Sequence, residues 1–148
     1  MPSVLDPDDR ARLLRRLDSL TEQSIRKWGQ MTSAGMLLHL CQSARMALGD
    51  LPVKPRNRRA FQTFPLKHLL LYVVPFPKGA PTAPELRPIE PGELEVERAS
   101  LRTLIERLGA GPRDGPGPVH PLFGPLSRRE WGVLNYKHAD HHFRQFGA

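Results

Sequence analysis

The chain has 148 residues, a length that fits one domain, and 39% of them are hydrophobic, so it can bury a core of its own. One cysteine, Cys41, excludes a disulfide framework, and the longest strongly apolar stretch, Leu69–Val74 followed by Pro75 and Phe76, is far short of the roughly 18 residues of a membrane span. The formal charge is +7, and sixteen prolines make about 11% of the chain against a usual share of roughly 5%, which leaves residues 8–51, 92–111 and 126–148 as the windows for long helices.

Asp6-Pro7-Asp8-Asp9 opens the first helix. Asp6 is a capping residue, Pro7 suits the first helical position, and the acids meet the positive end of the helix dipole. Leu13, Leu14, Leu17 and Leu20 then recur at helical spacing and predict a helix over about 7–20. Thr21–Gln30 reads as a connection, with Trp28-Gly29 near its end. Thr32 and Ser33 offer capping hydroxyls for a second helix over about 33–48, which Gly49-Asp50-Leu51-Pro52 stops. Its stripe is Met36, His39, Leu40, Ser43, Met46 and Ala47.

Residues 51–92 hold nine of the prolines. Leu66–Val74 within them reads equally as a short buried helix or strand. Phe61, Phe64, Tyr72 and Phe76 make the stretch too apolar for disorder, so an ordered excursion packed on the domain is expected. Leu94, Leu101, Leu104, Ile105 and Leu108 predict a third helix over about 93–108, with Gly109 as its cap. A Gly/Pro-rich turn over 109–118 follows. Ser127 and Glu130 form a capping box for a last helix over about 128–146, with Trp131, Leu134, Asn135, His138, His142 and Gln145 or Phe146 along one side. Four helices and one long proline-rich crossover between the second and third predict an all-α four-helix bundle, a single domain over 1–148.

The chemistry lies in the histidines. His138 and His142 are four apart, so on a helix their rings stand one above the other. The same side carries Trp131, Leu134 and Asn135, which marks it as core-directed. His39 lies on the buried stripe of its own helix. Three neutral imidazoles converging in the interior would bind Zn²⁺, Ni²⁺, Fe²⁺ or Mn²⁺ and leave positions open for water or substrate. The plainer reading keeps each as a hydrogen-bonded core histidine. Ser43, one turn beyond His39, is a candidate to hydrogen-bond a ligand or a backbone carbonyl. Cys41 reads as inert packing.

Four long pieces resemble the DinB/YfiT-like superfamily, and within it a bacterial branch of unassigned activity. They are Trp28–His39, Pro75–Leu86, His120–Leu126 and Trp131–Gly147, in that order along the chain. The resemblance implies an up-down-down-up bundle in which His39, His138 and His142 hold a divalent metal. It places His141 beside the ligands; Ser43, Trp131 and Asn135 are pocket candidates from their places on the two helix faces. Members with assigned activity include transferases and an isomerase that use low-molecular-weight thiols, and others are described as metal-dependent hydrolases. Many are homodimers. One departure stands out: after the paired histidines the superfamily often carries Arg-Gly-Gln, where this chain has Phe143-Arg144-Gln145.

Two functional expectations follow. The first is a metal-dependent enzyme acting on a small molecule, a transferase working with a low-molecular-weight thiol or a hydrolase. The 51–92 segment would wall its pocket. Between Leu51 and Pro84 there are six basic residues and no acid. Of these, Arg56, Arg58, Arg59 and Lys67 are the candidates to hold an anionic group; a solvated loop surface is the alternative. The second is a non-catalytic, stress-associated or binding protein with a structural or vestigial metal site. His68, His120 or a carboxylate would then have to supply a fourth ligand. Nucleic acid is not an expected partner, because no helix-turn-helix, zinc-finger or RNA-binding signature accompanies the charge. The acidic start of the chain is no signal peptide and the lone thiol is unpaired, so the cytoplasm is the expected location.

Overall fold

A computed structural model of the chain describes residues 1–54, 59–76 and 90–148. Helix α1 spans Pro7–Asp18, and the Asp6 carboxylate accepts from the backbone N–H groups of Asp8 and Asp9 at its start. Helix α2 spans Ser33–Leu48; Thr32 caps it and Gly49, in the left-handed region at φ 84°, ends it. A 3₁₀ turn at Arg59–Gln62 precedes α3 at Leu66–His68, which runs directly into a π-helical turn at Leu69–Val73. Helix α4 spans Leu94–Ala110 and helix α5 spans Arg128–Gln145. The expected capping box is present: Ser127 Oγ accepts from the Glu130 N–H, and the Glu130 carboxylate accepts from the Ser127 N–H.

The four long helices lie in the proline-free windows, and each buries the stripe its spacing predicted. Leu13 and Leu17 of α1, Met36, Leu40 and Met46 of α2, Leu101, Leu104 and Ile105 of α4, and Trp131, Leu134 and Phe143 of α5 meet in one core. Helix α2 packs chiefly on α4 and also on α5, while α1 packs on α4 and α5. Helix α4 runs through Gly109 rather than stopping there. The Arg10 guanidinium packs over that glycine, and the helix is capped at Gly111 instead.

The all-α expectation is wrong. Strands β1 (Pro116–His120) and β2 (Gly124–Ser127) pair antiparallel, with Val119 opposite Pro125 and His120 opposite Gly124. Together with α3 they make the architecture five helices and a two-stranded sheet among the described residues, not a pure four-helix bundle. The Gly/Pro-rich turn expected over 109–118 gives way to β1 at Pro116, although proline removes a ladder donor. A two-stranded ribbon leaves both strands as edges, where proline is tolerated. The ladder is irregular between Pro116 and Val119, where Pro118 falls.

The excursion expected over 51–92 is helical where it is described. Leu66–Val73 forms helix rather than strand, and of its residues only Leu71 is fully buried. Leu70, Tyr72 and Phe76 pack partly on the core. Phe64 is 83% exposed, contrary to the expectation of burial. Among the described residues no helix is long and apolar enough to cross a membrane.

Candidate metal centre

Helices α2 and α5 cross with their polar core residues facing one another. His39 of α2 meets His138 of α5 with Nε2 to Nε2 at 2.9 Å. His142 lies one turn further along α5; its ring centroid is 5.0 Å from that of His39 and 4.9 Å from that of His138. One nitrogen from each of the three lies within 4.8 Å of the others. Two nitrogens on one ion with bonds of about 2.1 Å stand at most about 4.2 Å apart. The 2.9 Å pair is inside that limit, and bringing the widest pair to the tetrahedral separation of about 3.4 Å takes a closing movement of up to about 1.4 Å.

Their surroundings disfavour the charged form of His138 and His142. Burial, followed by the neighbouring His39 and His142, holds His138 well below the ordinary histidine range. Burial and His39 lower His142 to about 4. Neutral imidazoles keep a lone pair, which is what a cation needs from them. His39 and His142 are buried and His138 is half-buried, so the group opens through His138.

Other side chains fix the rings. Ser43 Oγ lies 3.1 Å from Nδ1 of His138. Nδ1 of His142 lies 2.8 Å from Oε1 of Gln145. Gln145 Nε2 in turn donates to the Trp28 carbonyl at 2.6 Å, while the Lys27 N–H donates to the Gln145 carbonyl. This contact requires Gly29: its φ is 82°, and a Cβ there would meet Gln145 Nε2 at 2.3 Å. His141 sits beside the group with its centroid 5.1 Å from His142, edge-on to Trp28 at 5.9 Å and to Phe76 at 6.1 Å. Phe76 also stands edge-on to His138 at 5.9 Å. The Lys137 ammonium, half-buried, donates to the carbonyls of Leu70, Leu71 and Val74 and lies 4.9 Å from the Phe76 ring centroid. It thereby pins the end of the Leu66–Val73 segment beside the histidines, and burial lowers its pKa.

The remaining expected residues have other work. Trp131 is 2% exposed and donates to the Pro118 carbonyl, tying α5 to the hairpin. Asn135 donates back to the Trp131 carbonyl within its own helix. His120 is not a fourth ligand: its Nδ1 accepts from the Leu122 and Phe123 N–H groups and shapes the hairpin turn. His68 is exposed and stacks on Tyr72. Among the expected anion-holding residues, Lys67 bridges Glu130 at 2.9 Å and donates to the Pro125 carbonyl, and Arg59 is exposed at the start of the 3₁₀ turn. Arg56 and Arg58 lie outside the described residues, as does the Pro77–Leu86 part of the motif. The roles of Gln145, Phe76 and Lys137 at the centre were not read from the sequence. Gln145 carried the one available signal, its place one turn beyond His142 on the same face.

The model of one family matches residues 2–148, that described as "Protein of unknown function (DUF1569)". The chain belongs to this family. No curated protein and no solved structure matches the chain.

Proposed function

We propose that this member of the DUF1569 family binds a divalent metal through His39, His138 and His142, and that the centre serves a metal-dependent enzyme, a transferase that uses a low-molecular-weight thiol or a hydrolase. The observation that carries this reading is the convergence of three core-directed imidazole nitrogens from two helices within 4.8 Å. The resemblance to the DinB/YfiT-like superfamily supports it through the same three positions.

Among the described residues the group consists of three histidines, with no fourth ligand beside them. Structural zinc sites use four protein ligands, whereas sites that act on substrate use three and keep a position open. When bound, a zinc-like ion supplies Lewis acidity that lowers the pKa of a water or thiol at that position. The protein's own residues do the rest. Burial disfavours the protonated form of His138 and His142, which leaves them ready to meet a cation. Ser43 orients His138, and Gln145 orients His142. Phe76 and Trp28 bring aromatic edges to the side where His138 and His141 are half-buried, which restricts water there. Cys41 is buried and its thiol pKa is raised to about 12 by burial, so it is no nucleophile for this chemistry. Its unpaired, reduced state fits a cytoplasmic protein.

The test is metal content. Protein loaded with defined ions and then desalted is expected to retain close to one equivalent, and His39→Ala and His142→Ala to retain none. Equal retention by these variants, with the fold intact by circular dichroism, contradicts the proposal.

A further inference from the structure

Gln145 is 4% exposed and has both ends of its amide engaged. Nε2 faces the Trp28 carbonyl at 2.6 Å, and a carbonyl can only accept. The amide orientation is therefore fixed: the opposite orientation would set two carbonyl oxygens against each other. Oε1 then faces Nδ1 of His142 at 2.8 Å, and Oε1 too can only accept. It follows that Nδ1 of His142 carries the ring proton and Nε2 carries the lone pair.

We infer that Gln145 is a positioning residue that, braced by the Trp28 carbonyl, holds His142 in the tautomer whose Nε2 is free for a cation. The inference rests on the metal-binding reading for its purpose, but not for its geometry. Helix α5 supplies both the imidazole and the amide, one turn apart, so their spacing is set by the helix itself. The brace comes from the α1–α2 connection, where Gly29 alone admits the amide. Partners of this kind orient a ligand ring and raise its basicity, and their loss typically weakens metal affinity by about 10–100-fold.

Two variants separate positioning from mere packing. Gln145→Met keeps the volume and removes both hydrogen bonds. Gln145→Glu keeps the acceptor for Nδ1–H and removes the donor to Trp28. Zn²⁺ alone, titrated against a chromophoric chelator, is expected to bind Gln145→Met about 10–100-fold more weakly than wild type, and Gln145→Glu, which keeps the ring partner but loses the brace, with an affinity between the two. The tautomer is read independently in the metal-free protein by long-range ¹H–¹⁵N correlation of the histidine rings. His142 is expected protonated at Nδ1 in wild type and Gln145→Glu, and to lose that preference in Gln145→Met. A wild-type His142 protonated at Nε2 overturns the inference, as does a Gln145→Glu variant that loses zinc as far as Gln145→Met. An Nδ1–H tautomer in a wild type that binds no zinc supports the positioning role and contradicts the metal reading instead.

Discussion

The chain shields histidine in two places, half-burying His120 at the hairpin and burying His142 between α2 and α5, and one of them has the makings of a site. At the hairpin, burial lowers His120 to about 4, as it does His142 between α2 and α5. Both rings are neutral and packed against aromatic or heterocyclic neighbours. The difference lies in where the lone pairs go. Two backbone N–H groups consume that of His120, and its ring belongs to the turn. At the α2–α5 crossing the rings turn their nitrogens toward one another, and their outer nitrogens rest on Ser43 and Gln145. A depressed pKa therefore reports burial in both regions and distinguishes neither. The direction of the lone pair separates a structural histidine from a candidate ligand.

The sharpest way to break this comparison is to remove one histidine from each region. His138→Ala is expected to weaken zinc binding by more than about a hundredfold, beyond the effect of losing an outer partner. His120→Ala is expected to leave zinc affinity unchanged. It costs stability instead, about 1–3 kcal/mol for amides left without an acceptor, measurable by urea denaturation. Zinc loss in His120→Ala, with the fold intact, would merge the two regions.

Acid probes both at once. Histidine in an unfolded chain titrates near 6.5, while His120 and His142 titrate near 4 when folded. As pH falls the unfolded state takes up protons first. Stability is thus fully present above about pH 6.5 and is lost as pH falls toward 4, at up to about 1.4 kcal/mol per pH unit for each group. His120→Asn keeps an acceptor for the two amides and removes one titrating group, so the loss between pH 6.5 and 4 should be shallower by up to that amount per unit. An unchanged slope would mean that His120 does not titrate as its burial requires.

The smallest effect is expected at the start of α5, which carries both regions' partners. Ser127→Ala removes half of the capping box and should lower stability by about 0.5–2 kcal/mol, read as a lower thermal midpoint, with zinc affinity kept. A fall in affinity comparable to that of His138→Ala would mean that the centre depends on the helix end rather than on its own ring contacts.

Much of the frame was legible because it is local. Asp6, Thr32 and the Ser127–Glu130 pair mark helix starts through hydrogen bonds within three residues, and the apolar stripes follow the 3.6-residue period. The inward faces of His39, His138 and His142 were legible for the same reason. The hairpin was not, because proline chemistry in a ribbon with two edges resembles that of a turn. Nor were the partners that complete the centre. Phe76 and His138 are far apart in sequence, and so are Gln145 and Trp28; only the packing of whole elements brings them together. Gly109 shows the same limit, since it lies inside α4 beneath Arg10 and not at the helix end.

The central claim is that three imidazoles from α2 and α5 share one ion. X-ray absorption at the zinc edge of the loaded full-length protein tests it most directly. Three imidazole nitrogens at about 2.0–2.1 Å with one or more non-protein oxygen scatterers are expected, and in His39→Ala either no bound zinc or a shell with fewer imidazoles. A first shell without histidine, or one unchanged in His39→Ala, would contradict it.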